Sequence, residues 1–440
     1  MPESLETRVL FRHLDEPGLH GIETYEQLGG YTALKRAFRD CEPGELVSEF
    51  EASGLRGRGG AGFSMGKKAS FLPHGEMDKY LCCNADESEP GAFKDRELMF
   101  KNPHQLVEGV AIGAMAAGAT RAFIFIRGEY AEVADRLDAA VAEARAAGYV
   151  GKDILGSKTD VDIVVHRGAG AYICGEETAL LDSLEGNRGN PRLKPPFPAI
   201  QGLYGGPTLI NNVETLSNLP HIVNNGPDWF KSFGTEQSTG TKVVSVSGCV
   251  RRPGNYEIEL GIPSREIIFG LAGGPLPGRK IKAWYPGGSS APVLGPDELD
   301  LPYSFEALAE AGSMLGSGSI IVADDSVSIP EMALRTARFY RHESCGKCTP
   351  CREGTNWTVK MLERVVRGEA TPMDLDIIAS VQENIIGHCL CVLGDSMAMP
   401  VGSMVRRWRH EFEEAIDRAR KAGPAPLDVE PAVATAGVGA

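Results

Sequence analysis

Three cysteines, Cys345, Cys348 and Cys351, stand at C-x2-C-x2-C spacing in the run S-C-G-K-C-T-P-C-R-E-G-T, residues 344–355. A lone C-x2-C clamps one metal or forms a redox disulfide and constrains little. Three thiolates so spaced, on a turn bent by Gly346 and Pro350, can cap three corners of an iron–sulfur cube. The fourth thiolate must come from elsewhere, and H-C-L-C-V-L-G-D downstream offers Cys389 and Cys391. One [4Fe–4S] cluster is the reading this favours. A four-cysteine zinc site remains an alternative, although such sites usually pair two separated knuckles rather than three cysteines plus one. Inert core thiols fit poorly beside Lys347, Arg352 and Glu353.

A chain of 440 residues is long enough for two to four domains, each with its own core. With 42% hydrophobic and 24% charged residues it has the make-up of a soluble globular protein. A formal net charge of -14 argues against nucleic acid as a partner. Met-Pro-Glu-Ser-Leu-Glu shows no basic region or apolar run of a signal peptide. The longest apolar stretch, residues 107–119, contains Glu108 and is too short to span a bilayer. Ten cysteines without an export signal suit a reducing cytoplasm. Membrane association is therefore expected only through partners.

Residues 1–52 read as a polar arm with helices near 30–38 and 43–52. The next run, G-L-R-G-R-G-G-A-G-F at 54–63, satisfies G-x-G-x-x-G through Gly57, Gly59 and Gly62. The dinucleotide fingerprint needs a buried strand before it, and residues 46–53 are polar and helix-like instead. Open backbone N–H groups beside Arg56, Arg58, Lys67 and Lys68 still suit a phosphate or pyrophosphate. A strand at 79–84 leads into a segment crowded by Asp86, Glu87, Glu89, Asp95 and Glu97, where carboxylates would suit ribose or ribityl hydroxyls. Helix 104–117, strand 122–126, helix 130–147 and strand 161–166 alternate as an α/β unit with a largely parallel sheet. R-G-A-G-A-Y-I-C-G-E-E-T-A-L-L at 167–181 ends a strand and opens a helix at Thr178. N-P-R-L-K-P-P-F-P at 190–198 reads as a rigid extended lid, with Lys194 and Phe197 placed for a phosphate and a base. Asn212 is a candidate N-cap. Beyond 241, two alternating strands flank a Pro-Gly turn, a short helix follows at 264–272, and from Pro330 the chain is helical over 332–342, 356–367, 372–386 and 397–422.

Six of these motifs in this order (G-L-R-G-R-G-G-A-G-F, C-N-A-D-E-S-E-P-G, G-A-Y-I-C-G-E-E-T-A-L, K-P-P-F-P, I-N-N-V-E-T and E-S-C-G-K-C-T-P-C-R-E-G) make the chain resemble the NADH-binding flavoprotein subunits of bacterial respiratory complex I. The resemblance runs over about residues 20–420. It implies FMN, NADH and one [4Fe–4S] cluster as cofactors. FMN would lie against Gly57, Arg58, Gly59, Gly60, Lys68, Asn84, Asp86, Glu87, Ser88, Tyr172, Gly175, Glu176, Glu177, Ile210, Asn211, Asn212 and Thr215. NADH would meet Phe63, Phe71, Glu89, Glu177, Lys194 and Phe197, with Glu89 and Glu177 tuning nucleotide binding. Cys345, Cys348, Cys351 and Cys391 would hold the cluster; Cys389 is an extra cysteine, and Met397-Ala-Met replaces the family's usual aromatic after Gly-Asp.

The expected fold is an atypical Rossmann-like α/β flavin/NADH domain with its arm (1–240), a small β-grasp domain of the soluble-ligand-binding type (241–328), a helical cluster-bearing bundle (329–423) and a disordered tail (424–440). The implied function is NADH oxidation by hydride transfer to FMN, with single electrons passed to the cluster and on through partner clusters to quinone. No side chain is needed as acid or base, since cofactors carry such chemistry and the protein orients them. The implied partners are a thioredoxin-like [2Fe–2S] subunit and a larger iron–sulfur subunit, at the inner face of a bacterial membrane. A diaphorase subunit of an NAD-linked hydrogenase or formate dehydrogenase shares this core and is the alternative; a zinc-stabilised nucleotide-binding protein without redox activity is a more distant one.

Overall fold

The computed structural model describes residues 5–75 and 77–422. The tail expected from 424 lies outside the described residues. The arm carries α1 (Ile22–Gln27), α2 (Thr32–Asp40) and α3 (Pro43–Ala52). The first of these was not expected from sequence, its six residues being too few for a periodic signal. The α/β unit follows as α4 (Met65–Ser70), β1 (Tyr80–Ala85), α5 (Lys94–Lys101), α6 (Pro103–Ala117), β2 (Arg121–Ile126), α7 (Ala131–Ala146), β3 (Asp162–Arg167), α8 (Glu177–Leu184), β4 (Thr208–Asn212), α9 (Val213–Ser217), α10 (Leu219–Asn225) and α11 (Pro227–Lys231).

All pairings in this sheet are parallel, in the order β3-β2-β1-β4. The chain leaves β1 toward β2 on one side and returns with β4 on the other. The carboxyl ends of β1 and β4 therefore flank the switch point where open α/β sheets bind ligands. Register sets Asn84 beside Asn212 there. Every residue of α6 is buried, which its apolar composition dictates. Its one carboxylate, Glu108, accepts from Tyr25 Oη at 2.5 Å and from the backbone N–H groups of Tyr31 and Leu34 at 3.0 Å each. A Cβ on Gly109 would stand 2.1 Å from Leu216 O, so the close crossing of α6 over α9 requires glycine.

A second sheet contains β5 (Thr241–Gly248), β6 (Gly254–Glu259), β7 (Ile281–Tyr285) and β8 (Ser319–Asp324), in the order β6-β5-β8-β7. β5–β6 and β7–β8 are antiparallel and β5–β8 is parallel. The helix expected at 264–272 is a π-helical turn, Glu266–Leu271, and α12 (Phe305–Glu310) precedes β8. Glu257 of β6 ties the arm down. Its carboxylate accepts from the N–H groups of Val9, Leu10 and Phe11 at 2.8, 3.0 and 2.9 Å, and from Thr241 Oγ1 at 2.6 Å.

Five helices finish the described chain: α13 (Ile329–Glu343), α14 (Thr349–Val366), α15 (Pro372–Ile385), α16 (Leu393–Arg407) and α17 (Arg409–Ala422). The sequence reading is corrected twice here. Cys351 is not on the turn with Cys345 and Cys348 but in the first turn of α14, where Pro350 fits because an N-terminal N–H lacks a partner anyway. The expected helix 397–422 is broken at Trp408 (φ -120) into α16 and α17. One core lies under the arm, α6, α7 and one face of the parallel sheet. A second runs from the other face of that sheet (Cys82, Phe125, Ile210) through Ile173 and Leu180 into the bundle (Tyr340, Val359, Met397). The third belongs to the second sheet.

Candidate functional site

The glycine run joins α3 to α4, so it is a helix–loop–helix rather than a strand–loop–helix. The loop closes on itself: Gly57 N donates to Phe63 O at 2.8 Å and Arg56 Nε to Gly62 O at 2.7 Å. It is pinned to the sheet by Arg58 N, which donates to Thr215 Oγ1 at 2.8 Å. Gly59 lies against Asn212; a Cβ there would come within 2.8 Å of the Asn212 Cβ. Nothing stands within 4 Å of a Cβ position at Gly60, leaving that backbone open.

Around the switch point several polar atoms are buried and lack a protein partner: Asp86 Oδ2, Asn211 Nδ2, and Nε and Nη1 of Arg58. Such groups are costly unless a ligand or water completes them. They offer one acceptor and several donors, the mixture that a flavin's ribityl hydroxyls and ring edge would use. Gly175 leaves Asp86 its room, since a Cβ there would lie 3.3 Å from Asp86 Oδ2. Burial pushes the Asp86 carboxyl up to about 7 and the Arg58 guanidinium down to about 10. Asn84 Nδ2 donates to Gly175 O at 2.8 Å, joining β1 to the loop 172–175.

Asn212 is oriented from behind. Its Oδ1 caps α9 by accepting from Glu214 N at 3.0 Å, and its Nδ2 donates to Asp95 Oδ2 at 2.7 Å. Asp95 takes Lys94 Nζ at 2.7 Å, and Lys94 and Lys242 share Glu214 Oε2 at 2.8 and 2.6 Å. Burial opposes the charge on Lys94, but Asp95 and Glu214 outweigh it and raise Lys94 above its usual range; Lys242 is the one burial pushes down, to about 7. No sequence motif announced this network, because Asp95, Glu214 and Lys242 meet only through tertiary packing.

Two of the predicted carboxylates have other commitments. Glu87 accepts from Asp95 N at 2.8 Å, Arg96 N at 2.9 Å and Tyr130 Oη at 3.2 Å, so its side chain serves the start of α5. Glu89 accepts from Tyr172 Oη and Ser290 N, both at 2.8 Å, and fastens the second sheet's loop to the site. Ser88 lies in the same turn, its N–H on Asp86 O at 2.9 Å, and Ile210 is buried in β4.

Glu176 caps α8, accepting from Thr178 N at 2.9 Å and Ala179 N at 3.0 Å. Lys194 docks the proline-rich strap onto this end, reaching Glu176 at 2.9 Å and Glu177 at 2.8 Å, while Lys68 of α4 reaches Glu177 at 3.0 Å. Burial works against charge on Glu177, but Lys68 and Lys194 outweigh it and hold its carboxyl below the usual range. Phe63 and Phe71 lie with ring centroids 6.2 Å apart, and both are half exposed. Phe197 is exposed on the strap. Three apolar rings left facing solvent beside two lysines suit a base and its phosphates.

Cys345, Cys348, Cys351 and Cys391 line one cavity, together with Ile173, Pro191, Ser344, Lys347, Leu390 and Leu393. Cys389 is outside that lining but lies beside Cys351, with its thiol donating to Ile385 O at 3.6 Å. Among the described residues no three His, Cys, Asp or Glu side chains are placed to hold a single metal ion. A tetrahedral zinc site needs its sulfurs within about 3.8 Å of one another, from Zn–S bonds of about 2.3 Å. Four thiols spread around a cavity suit a larger group, and the chemistry of the donors is that of an iron–sulfur cluster. The loop carrying Tyr172 and Gly175 also sends Ile173 into this cavity, so one loop separates the two sites. Glu343 locks it from the cluster side, accepting from Tyr172 N at 3.1 Å, and Lys347 holds the proline-rich strap by donating to Pro191 O at 2.6 Å.

A family model described as the Nuo51 FMN-binding domain matches residues 50–221, and one described as the NADH-ubiquinone oxidoreductase-F iron-sulfur binding region matches 331–415. NADH-quinone oxidoreductase-F protein 2 of Rhizobium meliloti (strain 1021) is 52% identical over 94% of this chain and 98% of its own length. The NADH-quinone oxidoreductase-F protein of Streptomyces coelicolor is 48% identical over 94% of this chain and 92% of its own. Among solved structures, a chain of the NAD+-reducing [NiFe]-hydrogenase in the H2-reduced state superposes with a TM-score of 0.82 at 34% identity, covering 96% of this chain and 68% of that one.

Proposed function

The chain belongs to the NADH-quinone oxidoreductase-F family, and from that premise we propose how its residues divide the work of taking electrons from NADH. The protein is the electron-input component of such an enzyme: when bound, FMN would supply hydride acceptance from NADH and a [4Fe–4S] cluster single-electron transfer onward. The observation that carries the division of labour is the shared loop. Residues 172–175 meet the switch point through Gly175, whose carbonyl accepts from Asn84, and the thiol-lined cavity through Ile173, which would keep the two redox sites adjacent.

Gly59 and Gly60 would give the flavin phosphate backbone N–H groups, with Lys68 as counter-charge, while Gly57, its N–H on Phe63 O, and Arg58 hold the loop in shape. Asp86, Asn211 and the Arg58 edge complete the buried polar contacts that now lack partners. Asn84, Ser88, Tyr172, Gly175, Glu176, Asn212 and Thr215 shape the same cradle. Glu87 contributes through its backbone, its carboxylate being taken by α5. Phe63, Phe71 and Phe197 receive the adenine, while Lys194 and Glu177 meet the nucleotide's polar groups and Glu89 sets the wall through Tyr172. Cys345, Cys348, Cys351 and Cys391 ligate the cluster. Orientation and exclusion of water are the chain's own contribution; no proton-transferring side chain is required.

The strand order β6-β5-β8-β7 supports reading residues 241–328 as a β-grasp domain between the flavin unit (1–240) and the bundle (329–423). Family membership supports a thioredoxin-like [2Fe–2S] partner, a larger iron–sulfur partner and a place on the cytoplasmic face of the membrane. Among the described residues no helix is long and apolar enough to cross a membrane, so those partners would supply the attachment. The likeness to a hydrogenase chain favours one second reading, a diaphorase component that feeds or draws on a soluble enzyme. Anaerobic purification followed by a visible spectrum tests the core reading: flavin peaks over broad iron–sulfur absorbance, both bleached by NADH, are expected. A colourless, zinc-containing protein would overturn it. Co-purifying proteins, assayed with quinone and with hydrogen, separate the two assemblies.

A further inference from the structure

A hydroxyl reaches one of the four cavity thiols, and a fifth thiol lies beside it. Ser344 Oγ lies 3.1 Å from Cys351 Sγ, and the Cys389 thiol is packed beside the same residue. Both are held in place. Ser344 Oγ also accepts from Gly346 N at 3.3 Å, which fixes the hydroxyl oxygen and leaves its proton free for sulfur. Cys389 Sγ is packed against the first turn of α16, where a Cβ at Gly394 would stand 2.5 Å from it and 3.5 Å from the Cys351 Cβ. Its other acceptor within reach is Ile385 O at 3.6 Å. Between a neutral carbonyl and a metal-bound thiolate, a lone S–H proton goes to the thiolate, because a charged acceptor binds it more strongly.

We propose that Cys389 and Ser344 are positioning residues that set the reduction potential of the cluster by donating hydrogen bonds to the Cys351 ligand sulfur. The proposal rests on the ligand assignment above, with Cys391 and not Cys389 as the fourth thiolate. Reduction adds negative charge that spreads onto the ligand sulfurs. A donor aimed at one of them stabilises the reduced form more than the oxidised form and raises the potential. Cys389 thereby gains a role that accounts for its lying beside the cavity without lining it.

The test uses the anaerobically purified holoprotein and the variants Cys389→Ala, Cys389→Ser, Ser344→Ala and Cys391→Ala. Iron per chain and the midpoint potential, followed by EPR through a reductive titration, are the readouts. Cys389→Ala and Ser344→Ala are expected to keep full iron and shift the midpoint to more negative values. Cys389→Ser, which restores a donor, should return the midpoint to the unaltered value or above it. Unchanged midpoints in both alanine variants would overturn the proposal while leaving the cluster assignment standing. Loss of iron in Cys389→Ala with retention in Cys391→Ala would overturn it by making Cys389 the ligand. Absence of any cluster from the unaltered protein would remove both the proposal and the reading beneath it.

Discussion

Asp86 holds a buried carboxylate oxygen that nothing in the protein satisfies, at the end of β1 where a flavin would lie. Burial raises its pKa from 3.8 to about 7, so the folded chain keeps this proton to higher pH than the unfolded chain does. A raised acid contributes stability that is fully present below its unfolded value and is lost as pH climbs through the folded one. The flavin-free protein should therefore lose stability between pH 5 and pH 8, by an amount on the order of 2–4 kcal/mol from this group. Asp86→Asn should flatten that loss while lowering flavin retention. Thermal melts of both flavin-free proteins at the two pH values decide it, and equal losses in the two would refute the account. Glu177 makes the opposite case, a carboxylate kept charged by Lys68 and Lys194. Glu177→Gln frees Lys68 for nucleotide phosphates and leaves Lys194 with Glu176 as its one remaining partner among these carboxylates. NAD+ should then bind tighter by up to about 1 kcal/mol, roughly fivefold, for so accessible a cluster; an unchanged or weaker affinity in calorimetry argues against it. Cys345, Cys348 and Cys351 and the glycine run of the candidate site stood out in the sequence because their spacing is local. The commitment of Glu87 to α5 and the Asp95–Asn212 bond did not, since Asn212 and Asp95 lie 117 positions apart.

Elements built from long periodic segments, such as α6 and α7, fell within a residue or two of where the sequence put them. Short ones governed by tertiary contact did not: α1 was missed, and 264–272 became a π-helical turn. The arm's attachment belongs to this scale and was equally invisible, since three consecutive backbone N–H groups and Thr241 Oγ1 all converge on Glu257. Each carboxylate oxygen takes two donors, so a glutamine in either flip would aim its NH2 at two of them. Glu257→Gln should therefore release residues 9–11 at a cost of about 2–4 kcal/mol despite preserving shape. Faster hydrogen exchange at Leu10 and Phe11, with β1–β4 unaffected, is the expected signature. Undiminished protection there would mean that apolar packing of Leu10 and Phe11, and not the carboxylate, holds the arm.

The whole molecule is less divisible than its element order suggests. Motif order and the switch from α/β to β to helix made three units readable along the chain, but burial joins the first to the last. Phe125, Ile173, Leu180, Leu184 and Ile210 of the flavin unit share a core with Tyr340, Val359, Leu393 and Met397 of the bundle. All of these are at most 7% exposed. Fully uncovering five such side chains would cost about 1.5–3 kcal/mol each, together comparable to the roughly 5–15 kcal/mol by which a typical protein is stable. A chain ended at residue 328 should consequently aggregate or fail to hold FMN, although every proposed flavin contact lies before that point. The same dependence links the redox sites, because the core that holds the thiol-bearing helices continues through Ile173 and Leu180 to the far face of the sheet that presents Asn84 and Asn212. Substituting serine at Cys348 should then lower the melting temperature of the flavin unit along with that of the bundle, in one transition rather than two. Calorimetry of the serine variant beside the unaltered holoprotein reads this directly. Two separated transitions, or a soluble flavin-loaded fragment ending at 328, would show that the sheet's second face is stable without the bundle.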